Sequence, residues 1–368
     1  MLAEVFWFWM AEHARFRRGD KGLAMKRLIY LQAVALSVSA VGLILCLPGS
    51  ALLAVDGSRP IRAGIIGLDG HALDWTKILN NQNAVGEFAD IDVVAGYRGG
   101  SPDIPKSMEL LRKQEGPIRA MGVEIFDTID DLLAKVDVVL LLSIDGRKHL
   151  EQARPIFAAG KPLFIDKPIA ASLAGAMEVF RLAEQHDVPC FTSSALRFPG
   201  AQGNTRDKGE VGEIIGCDQY GPCPLEPTHH PDLTWYGIHG LESLLTIMGR
   251  GCDSVMRVQT PGTDIVVCQW KDGRVGTYRG LRQGMGGFGA TVFGSKRIVA
   301  GGRFDGYEPL LIEIVKFFKS GKPPVTAEET LELFAMMEAA EISKQKGGVP
   351  VSVGSVLATA RQRAHAKP

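Results

Sequence analysis

Between residues 61 and 192, six short apolar runs alternate with segments of helical patterning, and this alternation limits the fold more than any other feature. The runs are residues 61–66, 91–97, 123–126, 136–142, 163–165 and 188–192. Residues 136–142 read V-D-V-V-L-L-L, the near-continuous apolar run that a strand buried on both faces requires. Helices are predicted after the first run through Trp75, Ile78 and Leu79, after Thr128 with Asp131 as a near capping box, over 149–159 ending at Gly160, and over 173–186. Strand and helix in this order imply a doubly wound parallel sheet with right-handed crossovers.

A chain of 368 residues has room for roughly two domains. The second starts near residue 199. It reads as strands at 218–220, 255–258, 265–270, 275–278, 291–293 and 297–299, with helices at 310–318 and 328–343. The Lys271-Asp272-Gly273-Arg274 segment is a hairpin turn. Lys and Arg together number 41, as do Asp and Glu, so no basic footprint points to nucleic acid and a small-molecule partner is the better expectation. The cysteines lack zinc spacing, and Cys217 and Cys223 stand either as a pair or as separate buried thiols.

The amino terminus carries a separate signal. Residues 28–47 are almost wholly apolar and follow a cluster of Arg and Lys, which predicts either one uncleaved membrane span or a signal peptide cleaved after Ala51. Both readings put the body outside the cytoplasm, exported or anchored by that one span. The expected boundaries are 1–58 for this segment, 59–198 for the first domain, 199–350 for the second and 351–368 for a short, partly basic tail.

The first strand runs into Gly67-Leu68-Asp69-Gly70-His71-Ala72. A dinucleotide fingerprint wants G-x-G-x-x-G or A at this turn; Gly67 and Ala72 fit, but Asp69 takes the middle glycine's place. An ionised carboxylate there would repel a pyrophosphate, while Gly70 would restore close approach and His71 would donate to a phosphate. The competing reading is that Asp69 caps the following helix. The second strand ends without the acid that holds a ribose 2′-hydroxyl; Arg98 stands there, either as partner of a 2′-phosphate, which favours NADP over NAD, or as a solvated loop arginine. The fifth run ends P-L-F-I-D-K-P, which places Lys167 at the carboxyl end of a strand, where ligands of open parallel sheets sit, or in a charged turn.

Three stretches carry a resemblance: I-R-A-G-I-I-G-L, the run H-L-E-Q-A-R-P-I-F-A-A-G-K-P-L-F-I-D-K-P-I-A from His149 to Ala170, and G-I-H-G-L-E. Together they resemble the Gfo/Idh/MocA oxidoreductases over nearly all of residues 60–350. The resemblance implies an α/β fold: an N-terminal Rossmann doubly wound parallel sheet, and a C-terminal α/β domain with a large, mostly antiparallel sheet. It also implies an NADP- or NAD-dependent enzyme acting on a sugar, cyclitol or related polyol, and a homo-oligomer. The family's E-K-P signature falls on Asp166-Lys167-Pro168, so Lys167 takes the place near nicotinamide and the substrate hydroxyl. His149 matches the histidine opening the preceding helix. The implied cofactor contacts are Gly67, Asp69, Gly70, His71, Arg98, Ser143, Asp145, His149, Asp166 and Lys167; the implied catalytic group is Lys167, His239 and Tyr236. Where the family has D-x-x-x-H, this chain keeps His239 but carries Trp235 in the acid's place, leaving Tyr236, Asp232 or Glu242 to orient the histidine. A catalytically degenerate sugar- or nucleotide-binding protein of the same fold is the second reading, motivated by Asp69 and Trp235. A metal-dependent hydrolase or lyase using His229, His230, Asp232, His239 and Glu242 is the third, although no standard metal motif is matched.

Overall fold

The structure is a computed structural model that describes residues 59–198, 210–284 and 286–365. The parallel sheet is present, in the order β3-β2-β1-β4-β5-β6. Its strands are β1 Ile61–Ile66, β2 Ile91–Tyr97, β3 Glu124–Phe126, β4 Val138–Leu141, β5 Leu163–Asp166 and β6 Cys190–Ser193. Strands β4 and β5 are buried at every position, as their unbroken apolar runs predict. The order reverses between β1 and β4, so the crevice at their carboxyl ends is the topological switch point where such sheets bind ligands.

Five helices flank the sheet: α1 Ala72–Leu79, α2 Pro105–Ala120, α3 Ile129–Leu133, α4 Gly146–Ala158 and α5 Leu173–Gln185. Thr128 caps α3 by accepting from Asp131 N, as its spacing predicts. Helix α2 has little sequence signature. Of its residues only Ser107, Gln114 and Ile118 are buried, and Gly116 and Pro117 interrupt the pattern, so Pro105 in its first turn is the main starting signal.

The second sheet runs β12-β11-β7-β10-β9-β8-β13. Its strands are β7 Ile214–Pro222, β8 Cys252–Thr260, β9 Thr263–Trp270, β10 Val275–Leu281, β11 Gly289–Gly294, β12 Ile298–Gly301 and β13 Val351–Ser352. Only β7 and β10 pair in parallel; the other pairings are antiparallel. Helices α6 Ile238–Met248 and α8 Ala327–Gln345 pack on it, and α6 is buried along its whole length. Residues 353–365, expected as a tail, form helix α9 (Val353–His365). Cys217 and Cys223 are separate buried thiols.

Helix α7 (Glu308–Ser320) comes from late in the chain yet shares a core with β1, β5 and β6. Phe317 lies edge-on to Phe191 at 4.9 Å, Phe191 to Phe164 at 5.0 Å, and Phe164 meets Trp75 at 5.6 Å. Lys319 adds ion pairs to Glu87 and Asp90. This face of the first domain is thus completed by residues well beyond 198, which sequence order alone hides.

The amino-terminal expectation needs correction. The apolar run over residues 28–47 lies outside the described residues, and among the described residues no helix is long and apolar enough to cross a membrane. The membrane span, the signal peptide, and the membrane contact and extracytoplasmic placement that rested on them are therefore not supported.

Candidate active site and cofactor groove

Strand β5 delivers Asp166 and Lys167 to the carboxyl edge of the sheet almost fully buried, at 3% and 7% exposure. Asp166 ties two elements together. Its Oδ1 accepts from Lys167 N at 2.8 Å, and its Oδ2 lies 2.6 Å from Nδ1 of His71, the residue that precedes α1. The His71 ring stacks on Trp75 one helical turn away, with centroids 5.3 Å apart, and meets Tyr307 at 5.1 Å. Burial pushes the Asp166 carboxyl up, but His71 and Lys167 outweigh it and hold it below the usual carboxylate range. Burial lowers the Lys167 ammonium, against the opposing pull of Asp166 and Glu242. Its Nζ lies 5.6 Å from the centroid of the Tyr236 ring.

The first turn of α6 supplies the other wall. His239 Nδ1 is 2.7 Å from Ser194 Oγ, just past β6, and its ring meets Tyr236 at 4.9 Å and Phe288 at 5.8 Å. Burial first, then the charges of Lys167 and His71, drive the His239 ring well below its ordinary value, so it is neutral at physiological pH. Glu242, one turn along α6, does not touch His239. It accepts from Ser193 Oγ, Ser194 N and Arg197 Nε, and Arg197 continues to Glu329. Asp232 is likewise engaged elsewhere, by Arg257, Gln259 and Lys344. Lys167, Tyr236 and His239 therefore lie together, while Ser194 takes the contact to the histidine for which Tyr236, Asp232 and Glu242 were the candidates. The proposed metal cluster is dispersed among these partners, and no group of three potential ligands occurs among the described residues.

The glycine turn packs tightly against the end of β4. Gly67 has φ +90°, and a Cβ there would lie 2.3 Å from Ser143 N; at Gly70 a Cβ would lie 2.3 Å from Leu142 O. Asp69 does not cap α1, since His71 holds that position. It is wholly buried, taking a hydrogen bond from the Ser107 hydroxyl and a long one from Ile144 N. The carboxyl that would confront a pyrophosphate is thus folded into the protein, and burial pushes it up to about 6. Because this lies above the ordinary 3.8, the stability that Asp69 contributes is full below that value and is lost as pH rises through about 6. Asp69→Asn is expected to gain on the order of 2 kcal/mol over the parent near pH 7.5 and little near pH 4, read by thermal denaturation at both values.

Asp145 caps α4 and accepts from Arg147 and from Ser101 Oγ at 2.6 Å. His229 Nε2 reaches it from the second domain at 3.3 Å, without the alignment of a hydrogen bond. Burial alone would raise Asp145; His229, Arg147 and Ser101 outweigh it and hold the carboxyl far below its usual range. Ser143 donates to Gln152, and His149 is a buried brace whose two ring nitrogens lie 2.8 Å from Pro168 O and Ser143 O. Arg98 is bidentate on Glu115 and also bonded to Asp127. A groove of about 460 Å³ beside it is lined by Tyr97, Gly99, Gly100, Thr128, Lys148 and Gln152 together with the carboxylates of Asp127, Asp130 and Glu151, the last 4.0 Å from Lys148. Close-packed glycines, an inward-turned Asp69 and a lysine in the groove fit a dinucleotide at the switch point.

Comparison with known proteins places this geometry. Residues 61–194 match the family model described as "Oxidoreductase family, NAD-binding Rossmann fold". An uncharacterized oxidoreductase of Escherichia coli, YhhX, is 26% identical over 149 residues, which span 38% of this chain and 43% of that protein. Among solved structures, scyllo-inositol dehydrogenase from Lactobacillus casei with bound NAD(H) and scyllo-inositol is similar with a TM-score of 0.65 at 18% identity, over 80% of this chain and 100% of that one. An oxidoreductase from Thermotoga maritima gives 0.65 at 18% identity over 81% and 100%, and GenD2 from gentamicin A biosynthesis, in complex with NAD, gives 0.61 at 15% over 80% and 97%. At these identities the solved structures establish the two-domain fold. Residues 61–194 therefore form an NAD(P)-binding Rossmann domain of the Gfo/Idh/MocA oxidoreductase type.

Proposed function

We propose that this chain is an NAD(H)-dependent oxidoreductase whose substrate is a cyclic polyol, a sugar or a cyclitol. The observation that carries the reading is the meeting of Lys167 and His239, one from each domain, both shifted by burial toward their neutral forms and both against Tyr236. Two such groups beside one aromatic wall can hold and move the proton of a substrate hydroxyl. Tyr236 and Phe288, near-parallel with centroids 6.4 Å apart, offer apolar faces to the C–H face of a ring, while Lys167 and His239 meet its hydroxyl edge. The solved relative that holds scyllo-inositol with NAD(H) supports the same substrate class.

When bound, the nicotinamide ring supplies hydride acceptance or donation. Gly67, Gly99 and Gly100 let the turn, the loop after β2 and the end of β4 close-pack into the floor on which the dinucleotide would rest, and Lys148 would offer a phosphate the groove's cation. Glu115 and Asp127 bear on the choice between cofactors. They already hold Arg98, so a 2′-phosphate would meet two carboxylates for one guanidinium, and the ordinary ribose hydroxyl is favoured. Calorimetric titration is expected to give binding of NADH at least roughly tenfold tighter than of NADPH, the equivalent of about 1.4 kcal/mol. Tighter NADPH binding would reverse this cofactor assignment.

A further inference from the structure

The tautomer of His239 is decided by where one serine proton can go. Ser194 is 1% exposed; its hydroxyl accepts from Leu196 N at 3.2 Å and lies 2.7 Å from His239 Nδ1. Among the described residues no other acceptor receives that hydroxyl. A buried hydroxyl proton left without an acceptor is costly, so the serine donates to Nδ1. The imidazolium is excluded as the resting form because the ring is buried near Lys167 and His71, and a neutral imidazole carries one N–H only. That N–H is therefore on Nε2.

The serine is itself held firmly. Its backbone N–H donates to Glu242 Oε2 at 2.9 Å, while Ser193 Oγ and Arg197 Nε, at 2.9 and 2.8 Å, saturate Oε1.

We propose that Ser194 is a positioning residue that holds His239 as the Nε2–H tautomer, so that His239 donates to the reacting substrate oxygen and Lys167, as a neutral amine, takes the hydroxyl proton. In the oxidative direction the substrate O–H bond breaks with its proton passing to Lys167 Nζ, as the carbinol hydride leaves for the oxidised cofactor. The carbonyl that forms keeps its hydrogen bond from His239. This rests on the oxidoreductase reading above.

The test is a long-range proton–nitrogen correlation spectrum of the full chain labelled with nitrogen-15 histidine, with the His239 signals identified by their absence in His239→Gln. The expected pattern is an unprotonated Nδ1 and a protonated Nε2. Ser194→Ala should mix the two tautomers and lower kcat/KM roughly tenfold, and Ser194→Thr should restore both. A protonated Nδ1 in the parent, or an unchanged pattern in Ser194→Ala, overturns the role of Ser194. The spectrum needs neither cofactor nor substrate, so a parent chain that shows the expected tautomer but never turns over refutes the oxidoreductase reading and with it the assignment to Lys167.

Discussion

Lys167→Met is expected to lower kcat/KM by roughly 10³-fold or more while leaving NADH affinity within about threefold of the parent. The asymmetry follows from the placement of the amine. Its backbone is fixed by the end of β5 and its stem is buried beside Tyr236, so methionine can keep the apolar packing and lose only the titrating nitrogen. Burial lowers the amine's value and so favours its neutral form, the form that takes a proton from a hydroxyl. The parent should therefore gain activity as pH rises through the lowered lysine value, and the methionine variant should lose that limb of the profile. Steady-state kinetics across pH, beside calorimetric titration of both proteins, makes the measurement. A variant that keeps most of its turnover would remove Lys167 from the chemistry.

The largest expected effect on stability lies outside the cleft. The Arg257 side chain is fully buried and meets three carboxylates: Asp264 at 2.8 Å, Asp232 at 2.6 Å and Glu341 at 3.4 Å. Arg282 and Lys344 pair with Asp264 and Asp232 from the far side. Burial would raise Asp232, and Arg257 leads the interactions that overcome it and hold the carboxyl well below its usual range. Arg257→Met leaves that charge without its closest partner, and the fully buried Asp264 without one of its two guanidinium partners. The expected cost is about 3–5 kcal/mol, read by denaturant unfolding. Restoring an apolar match with Asp264→Leu in the same chain should recover part of it, because two apolar groups leave fewer buried charges unpaired. A loss below about 1 kcal/mol would mean that the remaining cations suffice. Asp232 opens the turn leading to Trp235 and Tyr236, so the same network anchors one wall of the site to β8 and α8.

The Rossmann half was legible because strands buried on both faces leave unbroken apolar runs, and β1 and β2 occupy the residues those runs predict. Helix α2 was not, since a helix that buries so few apolar residues has almost no periodic signature. The docking of α7 onto the first domain was hidden for another reason: amphipathicity reveals that a helix has a buried face, and nothing about which element covers it. The site divides in the same way. Lys167, His239 and Tyr236 could be named from local motifs, whereas the pairing of His71 with Asp166 and of Ser194 with His239 arises only when separate loops converge at the sheet edge. Asp69 is the instructive error of direction. Its charge was readable, but its orientation depends on Ser107, far along the chain in the helix that had no signature.

The groove at the switch point and the Lys167–His239 pair are expected to serve one hydride transfer. The most direct measurement incubates the full chain with NAD⁺ and cyclic polyols carrying deuterium at the carbinol carbons, then determines the isotope content of the reduced cofactor. The account predicts NADH that carries the substrate deuterium, and none from Lys167→Met. Saturable NADH binding without any transfer from a broad polyol panel, in either redox direction, would contradict it and leave a nucleotide-binding protein of the same fold.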